Sequence, residues 1–507
     1  MNIKNIKTYI LSGILALSMS SCLDKYPEDS IRMDQAINTV DDMDKLVYGI
    51  YDSFKSSALY SGNLTILPDL QADFVYCVKG YSNAYGDIYR WKDIKATNTD
   101  IESVYGELYG VINTANFLLD NVDKVKANTN SDKELDRLEQ CEGEAYFARA
   151  LAYSELIKCF CKAYDSDEQA AKELGVVLTE HYYGNEPQKR ATLKESYDFV
   201  LRDLDKATEY LKVDEDFTGT LYDEIYFNEY ACHALRARVS LYMHRWDDAI
   251  KYASKVINSK YYVLASCTQK IGNTSYYQYQ WTAGKSTEGI WKVGFTVNSY
   301  GGALGTIFDN FNYVSYRPDY VPETWVINSF DANDLRAAAI FTTRTTGYEH
   351  GLQWPLLSKY FGDAEFLNNN ILHVHQPMVF RLSEQYLIRA EAYAMNGEYG
   401  KAGKDISTLR TARYSSYGGN TSMSDESSAM KIIEAERVKE LYMEGFRLND
   451  LKRWHKGFER KAADQPAANF VQSSLKVEKD DPLFVWPIPQ HELEAPGSEI
   501  QPNESNK

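Results

Sequence analysis

Beyond residue 22 the sequence has no apolar run of the roughly 20 residues that a membrane-crossing helix needs, so the body of the chain is not expected to span a bilayer. Basic residues are outnumbered, 55 Lys and Arg against 72 Asp and Glu, for a formal net charge of −17. Such a balance repels phosphate backbones and anionic lipid surfaces and excludes nucleic acid as a partner. Neither a glycine-rich phosphate loop nor a nucleophile elbow occurs. Cys159-Phe160-Cys161 lacks the spacing of a redox or zinc motif. Cys77, Cys141, Cys159, Cys161, Cys232 and Cys267 mostly sit in helix-like, apolar settings. A chain of 507 residues can bury a core without disulfide staples, so these cysteines read as buried free thiols. His373-Val374-His375 could place two imidazoles on one face of a strand, but zinc takes three or four ligands and no third is evident nearby. They read as exposed histidines, and neither a metal nor a cofactor is expected.

What is present begins at the N-terminus. Lys4 and Lys7 precede a short apolar stretch from Tyr9 to Met19, and no acid occurs before Asp24. That stretch suits the h-region of a signal peptide. Ser20 and Ser21 then lead into Cys22. Small residues before a cysteine fit the narrow pocket of a lipoprotein signal peptidase, so residues 1–21 are expected to be removed and Cys22 to carry lipid. Two lysines leave with the leader, which moves the net charge from −17 to −19. Durable anchoring takes more than one acyl chain.

Helical periodicity dominates two stretches, 101–260 and 381–460. Ala145, Ala148, Ala152 and Leu156 share one helical face, as do Tyr197, Val200, Leu204, Ala207 and Leu211. Ala234, Ala237 and Leu241 are followed after a short break by Trp246, Ala249, Ala253 and Val256. Leu387, Ala390 and Ala394 are followed across Asn396-Gly397 by Tyr399, Ala402, Ile406 and Leu409. Alanines facing aromatic residues let helices approach closely, as in tetratricopeptide-type pairs. Between them, residues 60–100 and 265–380 are loop-rich, with short β-prone runs at Ile290–Val293 and Pro377–Phe380. Residues 22–60 read as a tether and first helices, and 461–507 as an extended tail. The expected fold is mainly α: a scaffold of helix pairs carrying a large irregular region. Long irregular segments in a compact protein are usually functional.

Several motifs occur in an order that resembles one family. They begin with Cys22-Leu23-Asp24-Lys25-Tyr26-Pro27, then Tyr105-Gly106-Glu107-Leu108-Tyr109 with Ile112 and Asn116, then Glu144 through Tyr153. Arg381-Leu382-Ser383-Glu384 through Ala392 follows, then Glu436-Arg437 to Arg447, Asp450 to Trp454, and Trp486-Pro487-Ile488-Pro489. Together they resemble the SusD/RagB family of outer-membrane nutrient-binding lipoproteins. Gly175-Val176-Val177-Leu178 departs from its pattern, which has proline where Val177 stands. The resemblance implies four tetratricopeptide-like units, no catalysis, and oligosaccharide binding at the cell surface beside a SusC-like TonB-dependent transporter. It leaves two alternatives: a peptide ligand, or a structural lid of the transporter with little affinity of its own.

Glu436, Glu440 and Glu444 lie at four-residue steps, which could suggest the paired carboxylates of a glycosidase. The interleaved Arg437, Lys439, Arg447 and Arg453 favour a helix laced with ion pairs instead. Aromatic residues make up 13% of the chain, including 40 tyrosines. Sugar rings stack their C–H faces on aromatic planes, while their hydroxyls need acid, amide and guanidinium partners. Three clusters offer this: residues 73–93, residues 276–281, and Tyr313, Tyr316, Arg317, Tyr320 and Trp325. From these, Asp73, Tyr81, Tyr85, Tyr89, Trp91, Tyr279, Trp281, Tyr316 and Trp325 are the expected ligand-binding residues, with Trp91 first. By the resemblance, Trp91 stands about where the family places a stacking tryptophan.

Overall fold

The computed structural model describes residues 36–183, 188–213, 224–348, 351–462 and 473–507, so the leader and Cys22 lie outside the described residues. Helix α1 (Val40–Ser53) opens with a capping box between Thr39 and Asp42. Next comes α2 (Asn63–Gln71), followed by α3 (Thr99–Asn128), whose first amides donate to the Asn98 side chain. The long α4 (Asp132–Phe160) and α5 (Leu193–Tyr210) pack against each other, and α3 packs on α4. Helices α6 (Glu229–Tyr242) and α7 (Trp246–Asn258) form a tight pair. The short α8 (Tyr276–Thr282) and α9 (Arg336–Ile340) belong to the loop-rich region. A second pair, α10 (Leu382–Met395) and α11 (Tyr399–Arg413), packs α10 against both α7 and α12 (Glu426–Glu440), and α13 (Arg447–Arg453) follows.

The alanine stripes are where the helices meet. Ala145, Ala148, Ala152, Ala234, Ala237, Ala249, Ala253, Ala390 and Ala402 have no solvent exposure. Between α10 and α11 the chain reverses at Gly397, whose φ of +74° suits glycine rather than a residue with a Cβ. Arg389 on α10 then clamps Asp405 on α11 through two hydrogen bonds of 2.8 and 2.7 Å. All six cysteines after Cys22 are buried and unpaired, as the composition suggested. Among the described residues, no helix is long and apolar enough to cross a membrane.

Residues 60–100 are less irregular than the sequence implied, because α2 lies inside them with all nine of its residues buried. A helix wrapped on every side shows no amphipathic period, and Pro68 within it masks the pattern further. In the irregular region, β1 (Val75–Cys77), β2 (Gly289–Lys292), β3 (Tyr320–Pro322), β4 (Phe341–Thr345), β5 (Gln353–Leu357) and β6 (Met378–Arg381) pair only in twos. β1 runs antiparallel to β3, with Tyr76 opposite Val321, and β4 pairs with β5 from Phe341–Leu357 to Thr345–Gln353. β2 pairs with β6, so the two β-prone runs of the sequence are partners. The described part of the tail returns to the scaffold: Trp486 is buried, and its indole N–H donates to the Gln71 side chain at 2.8 Å.

A buried charge cluster joins the irregular region to the scaffold. Glu440 at the end of α12 takes hydrogen bonds from Arg336 of α9 at 2.9 Å, Arg381 at 2.6 Å and Arg413 of α11 at 2.9 and 3.0 Å. Glu436 accepts from Arg336 at 2.6 Å and Arg410 at 2.8 Å, while Glu444 pairs with Arg381 and Lys359. The sequence pointed to ion pairs, and the interleaved Lys439 does lie 3.9 Å from Glu436, but the closer partners are distant in the chain. Arg437 pairs with Asp450, Arg447 with Asp73 and Glu434, and Arg453 with Glu391 and Asp450. Burial alone would raise the Glu436 carboxyl, yet Arg336, Lys439 and Arg410 hold it down to about 2. Fully buried, Glu436 and Glu440 do not meet solvent, so neither serves as a general acid toward a substrate.

Candidate functional site

Four of the nine expected residues face the interior. Trp91 is 9% exposed, packs edgewise on Phe458 and Phe484, and donates its indole N–H to the Gln71 carbonyl at 2.6 Å. Tyr89 has no exposure and lies under the Arg460 guanidinium, 3.9 Å from its ring centre. Trp281 sits between Tyr360, His375 and the Lys359 ammonium, which lies 4.0 Å above its ring. Asp73 is clamped by Arg447 through bonds of 2.8 and 2.9 Å. The polar atoms of Trp91, Tyr89 and Asp73 are engaged by the protein, and the Trp281 ring is enclosed although its indole N–H has no partner among the described residues, which corrects the expectation that these four face a ligand. The two histidines are corrected likewise. His375 is fully buried against Asp363 at 2.6 Å, and His373 is buried beneath Phe311, whose backbone N–H donates to its ring at 3.1 Å. Among the described residues, no cluster of three or more His, Cys, Asp or Glu is placed to hold a metal.

Of the remaining five, Tyr85 and Tyr279 are half-buried. Trp325 is 38% exposed but stands apart, with its indole N–H on the Asp73 carbonyl and its ring 6.2 Å from Phe74. Tyr81 and Tyr316, far apart in the chain, are brought together. Both pack on one small core of Tyr76, Val78, Val321, Trp354 and Leu356, as does Tyr348. The β1–β3 and β4–β5 pairings build that core, which is why two distant tyrosines share its rim.

Around Tyr316 an aromatic platform forms. Phe311 stacks on Tyr316 with ring centres 4.5 Å apart and planes 24° from parallel, within the range of favourable offset stacking. Phe361 lies 5.9 Å from Phe311 and 6.2 Å from Tyr316. Tyr313, 60% exposed, stands 5.8 Å from Phe311 and carries a positive φ of +66°. Its loop is shaped by Asn312, whose side-chain oxygen accepts the amides of Val314 and Ser315 at 3.1 and 2.9 Å, an Asx turn. The Tyr313 hydroxyl reaches the Asn370 carbonyl at 3.3 Å. At the base, the buried His373 ring accepts from the Phe311 amide, consistent with burial lowering its basicity.

Polar groups converge on the same place. The Arg344 guanidinium lies 5.1 Å from the Tyr316 ring centre and 5.7 Å from that of Phe361, and Arg317 lies 5.6 Å from that of Tyr348. Asp309 is buried with one carboxyl oxygen unpartnered among the described residues, and burial pushes it up to about 8 against the pull of Arg344. At the Tyr81 edge, its hydroxyl accepts from Arg90 at 2.7 Å and donates to Asn83 at 2.8 Å. The exposed Tyr313 and the part-buried Phe311, Tyr316 and Phe361, beside guanidinium groups, match what a sugar requires. The aromatic clusters pointed to Tyr313 and Tyr316, but nothing local signalled Phe311, Arg344, Tyr348 or Phe361, which arrive through the hairpin and the segment after it.

Two clefts lie elsewhere. One of about 1110 Å³ is lined by residues 177–202, where Arg202 pairs with Glu180, Glu195 caps α5, and Arg202 covers Phe199 at 4.4 Å. Most of its polar groups among the described residues are used internally, and its one phenyl ring, Phe199, is buried. Another of about 480 Å³ lies between α1 and β2, with Tyr48 and Tyr226 exposed at its mouth. It carries open aromatics but, among the described residues, no cation free of a partner: Lys55 bonds Asp52 and Ser299.

Comparison with known proteins agrees with this architecture. A family described as "Starch-binding associating with outer membrane" matches residues 22–241, and the SusD family matches residues 342–503. The chain is similar to "SusD-like protein P25" of Formosa agariphila, 20% identical over 90% of both chains. Among solved structures, it resembles a SusD superfamily protein of Bacteroides thetaiotaomicron, with TM-score 0.75 and 23% identity over 92% of this chain and 99% of that one. A putative sugar binding protein of Bacteroides vulgatus gives TM-score 0.74 and 23% identity over 93% and 100%. Surface glycan-binding protein A of Bacteroides fluxus gives 0.67 and 18% over 92% and 100%. With family matches at both ends and the helix-pair scaffold throughout, the chain belongs to the SusD/RagB family.

Proposed function

We propose that this protein captures oligosaccharides at the outer membrane and delivers them, without chemical change, to a SusC-like TonB-dependent transporter. The observation that carries the binding reading is the platform of Tyr313, Phe311, Tyr316 and Phe361, open to solvent at Tyr313, with guanidinium groups at its rim that have no ion-pair partner among the described residues. Rings held in this way stack on the apolar faces of sugars, and the polar groups around them read hydroxyl orientation. The outer-membrane description of one matching family and the sugar- and glycan-binding names of two structural neighbours support the same reading. Lipid on Cys22 would hold the protein beside its transporter. Isothermal titration against a panel of oligosaccharides tests the proposal. At least one glycan is expected to bind, with Tyr313→Ala weakening it about tenfold, because stacking of this kind contributes on the order of 1–3 kcal/mol. Binding of peptides alone would overturn it.

A further inference from the structure

The rim of the platform is unusual in its charge. The chain is strongly acidic, with 72 carboxylates against 55 Lys and Arg, and most of its buried arginines are tied to carboxylates: Arg149 to Asp203, Arg238 to Glu384, Arg336 to Asp334, Arg381 to Glu444 and Arg413 to Glu288, the exception being Arg460, enclosed against Tyr89 and Phe458. Arg317 and Arg344 have no ion-pair partner among the described residues, and their guanidinium groups lie over aromatic rings. Among the described residues, the acids beside them are hydrogen-bonded elsewhere or protonated. Asp319 spends both carboxyl oxygens on Ser82, at 2.5 and 2.7 Å. Asp309 is buried, and with its carboxyl raised to about 8 it leaves most of the Arg344 charge uncompensated at neutral pH. Arg90, at the Tyr81 edge, is neutralised by Asp87 at 2.8 Å.

The remaining acidic surface would repel an anion at long range, but that field is screened beyond about 8 Å at physiological salt. Close in, a guanidinium offers a fork of donors that matches a carboxylate or a sulfate. Stacking on Tyr316, Phe361 and Tyr348 orients these two forks without using their N–H groups.

Resting on the oligosaccharide reading above, we infer that the platform selects acidic oligosaccharides, whose uronate carboxylates or sulfate esters reach Arg317 and Arg344 while a sugar ring lies against Tyr313. The shared chemistry is a sugar-borne anion, and its two sources are separable by probe.

The test is titration of the full-length protein in detergent with three groups of probes. Oligogalacturonate and alginate oligomers supply uronates, chondroitin sulfate and carrageenan oligomers supply sulfates, and maltodextrin, xylan and mannan oligomers are neutral. At least one acidic probe is expected to bind more tightly than every neutral one, and to weaken as salt rises. Arg344→Gln and Arg317→Gln are each expected to weaken it about ten- to hundredfold, as loss of a charge-assisted hydrogen bond implies. Arg317 is exposed, so its variant folds normally and keeps the test readable if Arg344→Gln does not. Tight binding of a neutral oligosaccharide, lost in Tyr313→Ala but unchanged in both arginine variants, would overturn the acidic preference and leave the oligosaccharide reading standing. No binding to any oligosaccharide, or preference for a glutamate-rich peptide, would overturn both.

Discussion

Replacing Glu440 by glutamine probes the joint between the scaffold and the irregular region. One carboxylate oxygen of Glu440 accepts from Arg381 and Arg413, and the other from Arg336 and Arg413. Glutamine turns one of these acceptors into an N–H2 group pointing at guanidinium donors, and it removes the negative charge shared by three buried arginines. Arg336 keeps Asp334 and Glu436, and Arg381 keeps Glu288 and Glu444, but Arg413 is left with Glu288 alone. Breaking a buried pair of this kind costs about 3–5 kcal/mol. At about 2.1 cal/mol/K of unfolding entropy per residue, a chain of this length unfolds with roughly 1 kcal/mol/K, so Glu440→Gln should lower Tm by about 3–5 °C. Differential scanning calorimetry reads this directly. Lys162→Gln, which breaks an exposed pair with Glu173, should leave Tm unmoved as a control. A shift below about 1 °C in Glu440→Gln would refute the view that this cluster holds the two parts together.

The same cluster sets an acid limit. Glu436, held down to about 2, and Glu440, held well below its ordinary value, both ionise more readily folded than unfolded. Their contribution is therefore present above an unfolded value near 4.3 and is lost as pH falls toward about 2, so Tm should drop steeply below about pH 4 in wild type and less so in Glu436→Gln. Asp69, raised to about 7 by burial, acts in the opposite sense: stability falls as pH rises from about 4 to 7, and Asp69→Asn should flatten that slope in chemical denaturation. Trp91→Ala should cost about 3–5 kcal/mol as a buried cavity, lowering Tm while leaving the oligosaccharide Kd of the folded protein within about twofold; a large loss of affinity at unchanged Tm would return Trp91 to the site. Cys22→Ala should abolish incorporation of radiolabelled palmitate and release the protein from the membrane fraction.

Much of the scaffold was legible because it obeys a period. The stripes at Ala145 to Leu156 and Leu387 to Leu409 need only helical spacing and small residues to be read, and they became contacts between helices. α2 was not legible because a helix buried on all sides carries no polar face to set a phase. The site was only half visible for a related reason. Tyrosine and tryptophan density marks packing as well as recognition, and composition does not separate Trp91 and Trp281, walled in by partners, from Tyr313 on an open turn. What distinguishes Tyr316 is its neighbours, and those come from the β4–β5 hairpin and from Phe361, joined to it through pairings between short strands that no local pattern announces. The carboxylates at 436, 440 and 444 read correctly as ion pairs, yet their partners Arg336, Arg381 and Arg413 were invisible until the chain was folded.

The central claim is that the platform around Tyr313 and Tyr316 is where ligand rests. A crystal structure with the tightest-binding oligosaccharide tests it most directly. A sugar ring against Tyr313, with its acidic group within hydrogen-bond reach of Arg317 or Arg344, is the predicted result. A sugar lodged instead between Tyr48 and Tyr226 in the cleft beside α1, with the platform empty, would contradict it.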